Sequence, residues 1–437
     1  MLLLAFTASL LIVSTVVVMA ADPVGTPNAS SSPTVAIPAP ERIDLDWQVA
    51  VPAATARREG IEQVVAWAGG FAAYGRGPRF TTRISVSADG FTWEHRPLGL
   101  QPARERILTA HRDGLALVGT TYDESGRTVR VRVWMSPDGQ RWRRVTDDSS
   151  VLGPPRADRD CQLFLTGAES VGGRLLIVGD YCLRRCCGRV GATFLAAAAQ
   201  GAMKRRTDVR GGVFAWSTAD GRRWRRDRVR GVSSYLWGIA KGPHGLLAVT
   251  HTGGGESVVA SPDGVRWRRL TEGPAGDCCR LAATAGGPVA STSDWEDDHS
   301  GSLWTLDGAE DPADGVTGDW TLRQESHGRS FGAIDADDAN VVVGAYRWPR
   351  HGGTEVVGTE VVGVLGDGEP GGPLLLVSLD GGATWAESDA TPALSDACVS
   401  DVAVARGVIV AALGCRETET PQLIAARIPN SSAAGAR

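Results

Sequence analysis

The sequence predicts an all-β fold, a single β-propeller of about seven four-stranded blades whose ring is closed by the N-terminal strand. Three observations predict it. A short phrase with Asp, Gly and Trp at fixed spacing recurs along the chain, apolar strands and glycine turns alternate between its copies, and the two chain ends carry complementary parts of one repeat. Four strands in about 40 to 50 residues is the size of one propeller blade.

The recurring phrase has the chemistry of a tight hairpin turn. Its copies are SADGFTW (87–93), SPDGQRW (136–142), TADGRRW (218–224), SPDGVRW (261–267) and SLDGGATW (378–385), and a worn copy begins at Thr305 with its tryptophan displaced to Trp320. Asp-Gly is a strong hairpin signal, because Gly adopts positive φ and the Asp side chain accepts hydrogen bonds from nearby backbone N–H groups. We therefore interpret the following residues as structural and not catalytic or metal-binding: Asp89, Trp93, Asp138, Trp142, Asp220, Trp224, Asp263, Trp267, Asp380 and Trp385.

We count the blades from the strands that lie between the copies of the phrase. Strand sets lie at about 60–100, 104–148, 160–230, 231–272, 276–325, 329–389 and 396–429. The last set has only three strands, whereas the segment 46–51 (DWQVAV) carries the Asp and Trp of the motif without its first half. We predict that this segment supplies the missing strand, because pairing the two chain ends removes exposed strand edges. Six or eight blades are the alternatives to seven.

The phrases resemble the Asp-box repeats, also called bacterial neuraminidase or BNR repeats, of sialidases and related propellers. SLDGGATW is the copy nearest to the family pattern, and the resemblance spans nearly the whole chain after the first 41 residues. It implies that the Asp-boxes lie between third and fourth strands, on the face away from an active site. The family's N-terminal Phe/Tyr-Arg-Ile-Pro motif is missing from the first blade, and Arg427-Ile428-Pro429 stands at the wrong end. The chain is therefore expected to be a non-sialidase member.

The N-terminal residues predict export. Residues 1–21 form an apolar run with small residues at its end, which suits a signal peptide; its length and the lack of a preceding Lys or Arg leave an uncleaved membrane anchor as the alternative. Residues 22–41 are rich in Pro and Ser and predict an extended tether. The propeller then occupies 42–430, in a protein that is secreted or extracytoplasmic, with anchoring by the N-terminal segment as the second possibility.

Eight cysteines fit an oxidising compartment. Two pairs each bracket a predicted hairpin, so we predict the disulfides Cys161–Cys182 and Cys398–Cys415. The pairing of four others is left open: Cys186, Cys187, Cys278 and Cys279. They form a bridge across the fourth blade or vicinal pairs, and a zinc site from Cys182 and its neighbours is the remaining alternative.

Two predicted insertions point to a binding face. One, at about 183–212, contains a short helical stretch with a basic end, and the other, at about 346–373, carries the tandem TEVVGTEVVG. Both follow the second strand of a blade, so they share a face with the starts of the innermost strands around the channel mouth, where loops carry function. Candidate binding residues near those starts are Arg104, Arg106, Tyr235, Arg280 and Arg329. Arginine forks suit carboxylate ligands.

Composition and missing motifs narrow the function. Hydrophobic residues at 43% and charged residues at 22% are typical of a soluble globular protein, and a net charge of -5 gives no reason to expect nucleic acid. The chain has no nucleophile elbow, phosphate loop or His pair at metal spacing, so we predict neither metal nor cofactor. The acidic run 294–299 is interpreted as a solvated loop, and Asp335, Asp337 and Asp338 as turn residues.

The sequence thus favours an exported, non-catalytic monomer that binds a glycan, a peptide or a cell-envelope partner on the channel-mouth face. Membrane contact is expected only through an uncleaved N-terminal segment. One alternative is an exo-glycoside hydrolase of sialidase type, which would need converging arginines and a Tyr–Glu pair. The other is an assembly or scaffolding factor.

Overall fold

The computed structural model describes residues 40–51, 60–76, 81–98, 106–112, 114–122, 128–145, 149–152, 161–183, 212–232, 236–242, 245–252, 255–274, 280–293, 301–307, 318–326, 329–337, 339–347, 354–357, 360–363, 372–389, 398–414 and 422–429. All of them belong to one unit, residues 38–437. The predicted segment 1–21 and most of the predicted tether lie outside them. No helix among the described residues is long and apolar enough to cross a membrane.

The N-terminal part of the described chain and the first three sheets have these elements. Two strands come first, β1 (Glu41–Arg42) and β2 (Gln48–Val51). Blade 1 comprises β3 (Gly60–Trp67), β4 (Gly70–Arg76), β5 (Thr82–Ser87) and β6 (Glu94–Leu98). Blade 2 comprises β7 (Arg106–His111), β8 (Gly114–Tyr122), β9 (Thr128–Ser136) and β10 (Arg143–Arg144), followed by a short helix, α1 (Ser149–Leu152). Blade 3 comprises β11 (Cys161–Val171), β12 (Arg174–Leu183), β13 (Gly212–Thr218) and β14 (Arg225–Arg228).

The remaining sheets follow the same order. Blade 4 comprises β15 (Leu236–Gly242), β16 (Gly245–Thr252), β17 (Gly255–Ser261) and β18 (Arg268–Glu272). Blade 5 comprises β19 (Arg280–Thr284), β20 (Gly287–Ser293), β21 (Gly301–Asp307) and β22 (Asp319–Ser326). Blade 6 comprises β23 (Arg329–Asp337), β24 (Asn340–Arg347), β27 (Gly372–Ser378) and β28 (Ala386–Asp389), with the hairpin β25 (Thr354–Val357) and β26 (Glu360–Gly363) inserted between its second and third strands. Blade 7 comprises β29 (Val399–Ala405), β30 (Val408–Leu413), β31 (Gln422–Arg427) and β2.

The ring has seven blades and is closed by the two ends of the chain. The inner strands β3, β7, β11, β15, β19, β23 and β29 contact one another in that order, and β29 contacts β3. The strand β2 pairs antiparallel with β31, with Val49 opposite Ile424. The predicted fold class, the blade number and the closing role of the N-terminal strand are therefore confirmed.

The segment before β2 also joins a second blade, which the sequence did not predict. The two-residue strand β1 pairs in parallel with β28, with Glu41 opposite Ala386. The Ile43 N–H then donates to the Glu387 carbonyl oxygen at 3.0 Å. Between β1 and β2, Leu45 is 5% exposed and packs in the core that blades 6 and 7 share. A strand of two residues has no apolar periodicity, so no sequence pattern marks it.

The core lies between successive blades, so each sheet is covered on both faces. Blades 1 and 2, for example, enclose Tyr74, Ile84, Leu115 and Trp134, all buried. A sheet covered on both faces gives strands without polar alternation. In β30, Val408–Leu413, every residue is buried.

The two faces of the ring differ in their connections. First and second strands of the blades are joined by two residues in every case, at 68–69, 112–113, 172–173, 243–244, 285–286, 338–339 and 406–407. Second and third strands are joined by 77–81, 123–127, 184–211, 253–254, 294–300, 348–371 and 414–421. Because neighbouring strands are antiparallel, the second set of connections lies where the inner strands begin. We call that end of the ring the loop face and the other end the turn face.

Candidate functional site

The Asp-box turn of blade 1 is a network of local hydrogen bonds. The Asp89 Oδ1 atom accepts the N–H groups of Phe91 at 2.9 Å and Thr92 at 2.8 Å, and the Ser87 hydroxyl at 3.0 Å. The Gly90 N–H donates to Ser87 Oγ at 2.8 Å, with φ of Gly90 at 83°. The hydrogen bond from the Thr92 backbone contributes most to lowering the pKa of Asp89. This carboxylate is engaged in holding its own turn.

The other boxes repeat the arrangement with local variations. In blade 3, Asp220 accepts the N–H groups of Arg222 and Arg223, each at 2.8 Å, and hydrogen bonds from the Arg223 and Arg222 backbone lower the pKa of Asp220 to about 2. In the worn copy of blade 5, Asp307 accepts the Arg323 guanidinium at 2.9 Å instead. Equivalent acceptors in the remaining boxes are Asp138, Asp263 and Asp380.

Each box also packs against the preceding blade. A Cβ atom added to Gly264 of blade 4 would lie 2.1 Å from Leu176 Cδ2 of blade 3, and one added to Gly139 of blade 2 would lie 2.5 Å from Val86 Cγ1 of blade 1. The box tryptophans pack in the cores between the same pairs of blades: Trp93, Trp142, Trp224, Trp267 and Trp385. The boxes therefore join neighbouring blades near the turn face.

The predicted binding residues do not form one cluster in the part of the chain that is described. Arg106 is 8% exposed between blades 1 and 2, where its guanidinium lies 5.8 Å from the centre of the Tyr74 ring. Arg329 Nη1 contacts Glu387 Oε2 at 2.6 Å within blade 6. Arg280 is exposed at the start of β19. The other two candidates, Arg104 and Tyr235, lie outside the described residues.

The cysteines are described only in part. Cys398 is disulfide-bonded, and its carbonyl oxygen accepts the Gly414 N–H at 2.9 Å. Its predicted partner, Cys415, lies outside the described residues, so that pairing stays a prediction. In blade 3 the strand register sets Cys161 opposite Leu183 and Gln162 opposite Cys182. The two cysteines are thus offset by one position, their side chains lie outside the described part, and the predicted bridge is untested.

The remaining cysteine alternatives also lie outside the described residues, since Cys186, Cys187, Cys278 and Cys279 are not among them. Within the ranges that the structure describes, no three His, Cys, Asp or Glu side chains are grouped to hold a metal ion.

Three inner-strand side chains bridge neighbouring blades, and sequence reasoning missed them. Asp335 Oδ2 of β23 accepts the Val404 N–H of β29 at 2.9 Å, and Asp401 Oδ2 of β29 accepts the Val64 N–H of β3 at 2.8 Å. We call Asp335, Asp401 and Gln63 the joint acceptors, because Gln63 Oε1 in turn accepts a backbone N–H of β7 at 2.8 Å. These hydrogen bonds connect blade 6 to blade 7, blade 7 to blade 1, and blade 1 to blade 2.

A register shift precedes each joint acceptor in its strand. Such a bulge re-aims the following side chains. The interpretation of Asp335 as a turn residue was therefore wrong: it lies inside β23 and binds the next blade, whereas Asp337 does bond within the turn, to Asn340 at 2.7 Å. The signal available in the sequence was an acidic residue within an apolar strand.

Inner-strand carboxyl groups have strongly raised pKa values. Burial raises the pKa of Asp335, Asp401 and Glu169 to about 7 in each case. The negative charges of Asp401 and Glu169 add to the effect on Asp335, whereas the Arg280 charge opposes it at Asp401 and the Lys241 charge opposes it at Glu169. A carboxyl group with such a pKa changes its charge near neutral pH.

These pKa values predict a fall in stability with rising pH. Between about pH 4 and pH 7 the folded chain holds protons on these carboxyl groups that the unfolded chain has lost, so its free energy of unfolding decreases by an amount on the order of several kcal/mol. Urea unfolding at pH 5 and pH 8.5 measures the change. We expect Asp401→Asn to reduce the difference between the two pH values, because the amide oxygen still accepts the Val64 N–H without titrating.

The matched control for this prediction is Asp89→Asn. The pKa of Asp89 is lowered, so its contribution is lost only at more acidic pH and the substitution should leave the difference between pH 5 and pH 8.5 unchanged. An identical pH dependence in the Asp401→Asn variant and the unsubstituted chain would contradict the prediction.

Comparisons with known proteins find similarity to solved structures only. No protein-family model matches the chain, and no curated protein is similar to it in sequence. Similar solved structures include YCF48 bound to D1 peptide, with 14% identity, a TM-score of 0.49, and coverage of 89% of this chain and 99% of that one. The β-propeller domain of the Trilobed protease from Pyrococcus furiosus has 9% identity, a TM-score of 0.48, and coverage of 85% and 93%.

A sialidase is also among the similar solved structures. Trypanosoma rangeli sialidase in complex with the inhibitor DANA has 11% identity, a TM-score of 0.40, and coverage of 77% of this chain and 56% of that one. At such identities and TM-scores these likenesses carry no argument, and the fold is taken from the strand pairing. The chain is a seven-bladed β-propeller.

Proposed function

We propose that this chain is a non-catalytic Asp-box propeller that binds a glycan, a peptide or a cell-envelope partner on its loop face. The contrast between the two faces carries the proposal. On the turn face the first and second strands are joined by two residues in every blade, and the longest connection between third and fourth strands is 308–318. The loop face has connections as long as 184–211 and 348–371. Connections of this kind can vary without disturbing the sheets, which is why binding residues concentrate on them.

Two charged side chains near the starts of the inner strands, Arg280 and Asp401, suit a polar ligand. Arg280 is exposed at the first position of its inner strand, and its charge acts on the Asp401 carboxyl of blade 7. Between them they offer a guanidinium fork and an acceptor whose charge changes near neutral pH. Of the five candidates, Arg280 is the one that has both a described position and an exposed side chain on this face.

A sialidase-type mechanism has less support. A carboxylate clamp needs several arginines with open guanidinium groups, but Arg106 packs on Tyr74 between blades and Arg329 pairs with Glu387 inside blade 6. Withdrawing either from its partner would leave a buried group behind, at a cost of about 1 to 3 kcal/mol. This observation favours the non-catalytic function.

The proposal includes export through residues 1–21. The disulfide at Cys398 supports it, because disulfides persist in oxidising compartments. The direct measurement is the N-terminal sequence of the chain recovered from the medium and from the membrane fraction. A start near residue 21 in the medium would indicate cleavage, an intact start in the membrane fraction would indicate an anchor, and a chain confined to the cytoplasm would contradict export.

The functional test compares hydrolysis with binding. We expect the full chain to release no product from a fluorogenic sialoside and to bind members of a glycan or peptide array, with signals reduced at least fivefold in Arg280→Ala. The matched control is Arg406→Ala, which removes an exposed arginine from the turn face. Sialoside turnover that is lost in Arg280→Ala and Arg329→Ala would contradict the proposal and establish the hydrolase. Binding confined to one folded protein would favour the assembly factor.

A further inference from the structure

Six exposed arginines follow the outer edges of two consecutive blades, blades 2 and 3. They are Arg143 and Arg144 in β10 of blade 2, Arg222 and Arg223 in the box turn of blade 3, and Arg228 and Arg230 at the end of its outer strand. We call these six residues the arginine belt. In the sequence, Arg143 and Arg144 directly follow a tryptophan, Arg222 and Arg223 directly follow an Asp-Gly turn, and Arg228 and Arg230 alternate with Val229.

The belt is continuous across the joints between blades. The Arg143 guanidinium lies 3.6 Å from the position of a Cβ atom on Gly221, which precedes Arg222 in the next blade. At the other end, the Trp267 N–H donates to the Arg230 carbonyl oxygen at 2.9 Å, so the last belt residue is joined to the box turn of blade 4. The positive charges therefore form one surface that begins on blade 2 and ends against blade 4.

The belt side chains make no ion pairs within the described part of the chain, although the ionised carboxylate of Asp220 lies in the same turn as Arg222 and Arg223. Nearby arginines are paired there, such as Arg225 with Asp227 at 2.8 Å and Arg266 with Asp263 at 3.0 Å. For the six belt residues, no ion pair or hydrogen bond of the side chain is found among the described residues. Holding like charges close together costs free energy, and an anionic partner would relieve that cost.

Charge is distributed unevenly around the rim. Blades 6 and 7, on the far side of the ring from blade 3, carry the exposed carboxylates of Glu41, Asp44 and Asp46 together with the exposed arginines Arg42, Arg406 and Arg427, so both signs of charge occur there. The chain as a whole has a net charge of -5, whereas the six belt arginines are accompanied in blade 3 by the carboxylates of Asp220 and Asp227, so the belt is a local excess of positive charge. Such a field orients an approaching polyanion toward blade 3.

We propose that the arginine belt is a docking surface for a linear anionic polysaccharide. The large apolar side chains that are exposed among the described residues are Val49 and Leu379, neither of them in the belt, so it offers no apolar anchor for a folded protein. The neighbouring Trp142 and Trp224 are partly buried in blade joints, so no aromatic platform for nucleic-acid bases accompanies the charges.

The geometry of the ring also favours a flexible chain over a bilayer. The outer edges of consecutive blades diverge around the ring, so a flat surface can lie against only one blade edge, whereas a linear polymer can follow the edges of both blades. Guanidinium groups donate paired hydrogen bonds to carboxylates and to sulfate-like oxyanions, which a hydrated anionic polysaccharide presents at regular intervals. This surface is separate from the loop face, and the inference does not depend on the function proposed for that face.

The test uses the full chain and alginate, a linear polymer of carboxylated sugars, with neutral dextran as the uncharged comparison. Three charge-removing pairs are made, Arg143→Gln with Arg144→Gln, Arg222→Gln with Arg223→Gln, and Arg228→Gln with Arg230→Gln. The control pair, Arg406→Gln with Arg427→Gln, removes the same charge from exposed positions of blade 7.

We expect alginate to bind and dextran not to bind. Each belt pair should raise the Kd for alginate about tenfold at low salt, whereas the control pair should change it less than twofold. The belt variants should also show a shallower dependence of affinity on salt, because fewer counterions are released. Thermal unfolding of the belt variants should match that of the unsubstituted chain, since their replaced side chains are exposed and unpaired. The control pair also loses the hydrogen bond from Arg406 to the Ala68 carbonyl oxygen and the contact of Arg427 with Phe91, so its affinity is compared at a temperature at which thermal unfolding shows it to be folded.

Three results would overturn the inference. The first is equal alginate affinity in belt and control variants. The second is a failure of the folded, unsubstituted chain to bind alginate at low salt. The third is tighter binding to single-stranded DNA, to polyglutamate or to vesicles with half anionic lipid at equal salt, lost in the same belt variants, which would assign the belt to another class of polyanion.

Discussion

Gly231→Ala is expected to destabilise the propeller by about 3 kcal/mol or more, because the substitution combines backbone strain with a clash that cannot relax. Gly231 has a φ of 87°, and an added Cβ atom would lie 1.7 Å from the Trp267 carbonyl oxygen. That backbone is held by hydrogen bonds on both sides of the contact, from the Trp267 N–H to Arg230 and from the Arg230 N–H to Val265. Urea unfolding followed by tryptophan fluorescence measures the loss.

The matched control for Gly231→Ala is Gly172→Ala. Gly172 also has a positive φ, 54°, but nothing lies within 4 Å of its added Cβ atom. The Gly172→Ala variant should lose about 1 to 2 kcal/mol of unfolding free energy, the cost of the left-handed conformation alone. Equal losses for the two substitutions would show that the contact with Trp267 contributes nothing and would contradict the prediction.

A chain that begins at residue 52 is expected to lose at least about 5 kcal/mol of unfolding free energy relative to one that begins at residue 40, and to associate. The missing segment contains the buried Leu45, and Trp47, whose Nε1–H donates to Ser388 Oγ at 3.0 Å. It also contains β2, without which β31 becomes an open strand edge. Urea unfolding and size-exclusion chromatography at several concentrations measure both effects.

The chain that begins at residue 40 is the control, and it should unfold like the full chain. Leu45→Ala gives a graded version that keeps β2 and should cost about 2 to 5 kcal/mol, as for other buried leucines. If the chain from residue 52 remained monomeric and unfolded at the same urea concentration as its control, the closing role of this segment in stability would be refuted.

The repeat made the architecture predictable from the sequence. Asp-Gly followed by Trp marks the turn between third and fourth strands by local chemistry, as at Asp89 and Trp93. Continuous apolar runs such as Val408–Leu413 mark strands covered on both faces. Both signals depend on residues close together in the chain, so they can be read without knowing the fold. The closing strand was predicted because its fragment of the motif, Asp46 and Trp47, completed a repeat that the other end lacked.

The candidate site was less predictable because it depends on contacts between blades. The acceptor role of Asp401 requires the Val64 N–H, which belongs to the other end of the chain. Arg106 and Arg329 are suitable residue types near inner-strand starts, but their partners Tyr74 and Glu387 decide that they stabilise blades. Composition and spacing carry no information on such pairings.

The pairing of Val49 with Ile424 also determines which blade can form last. The two residues are separated by about 375 positions in the chain. A ribosome adds roughly 5 to 20 residues per second, so some 20 to 75 seconds pass between the synthesis of β2 and the synthesis of β31, its pairing partner. In that interval six blades can assemble in order, each on the one before, while blade 7 cannot. The incomplete ring exposes two strand edges until its last strand arrives, which makes the final step the one most vulnerable to association with another copy.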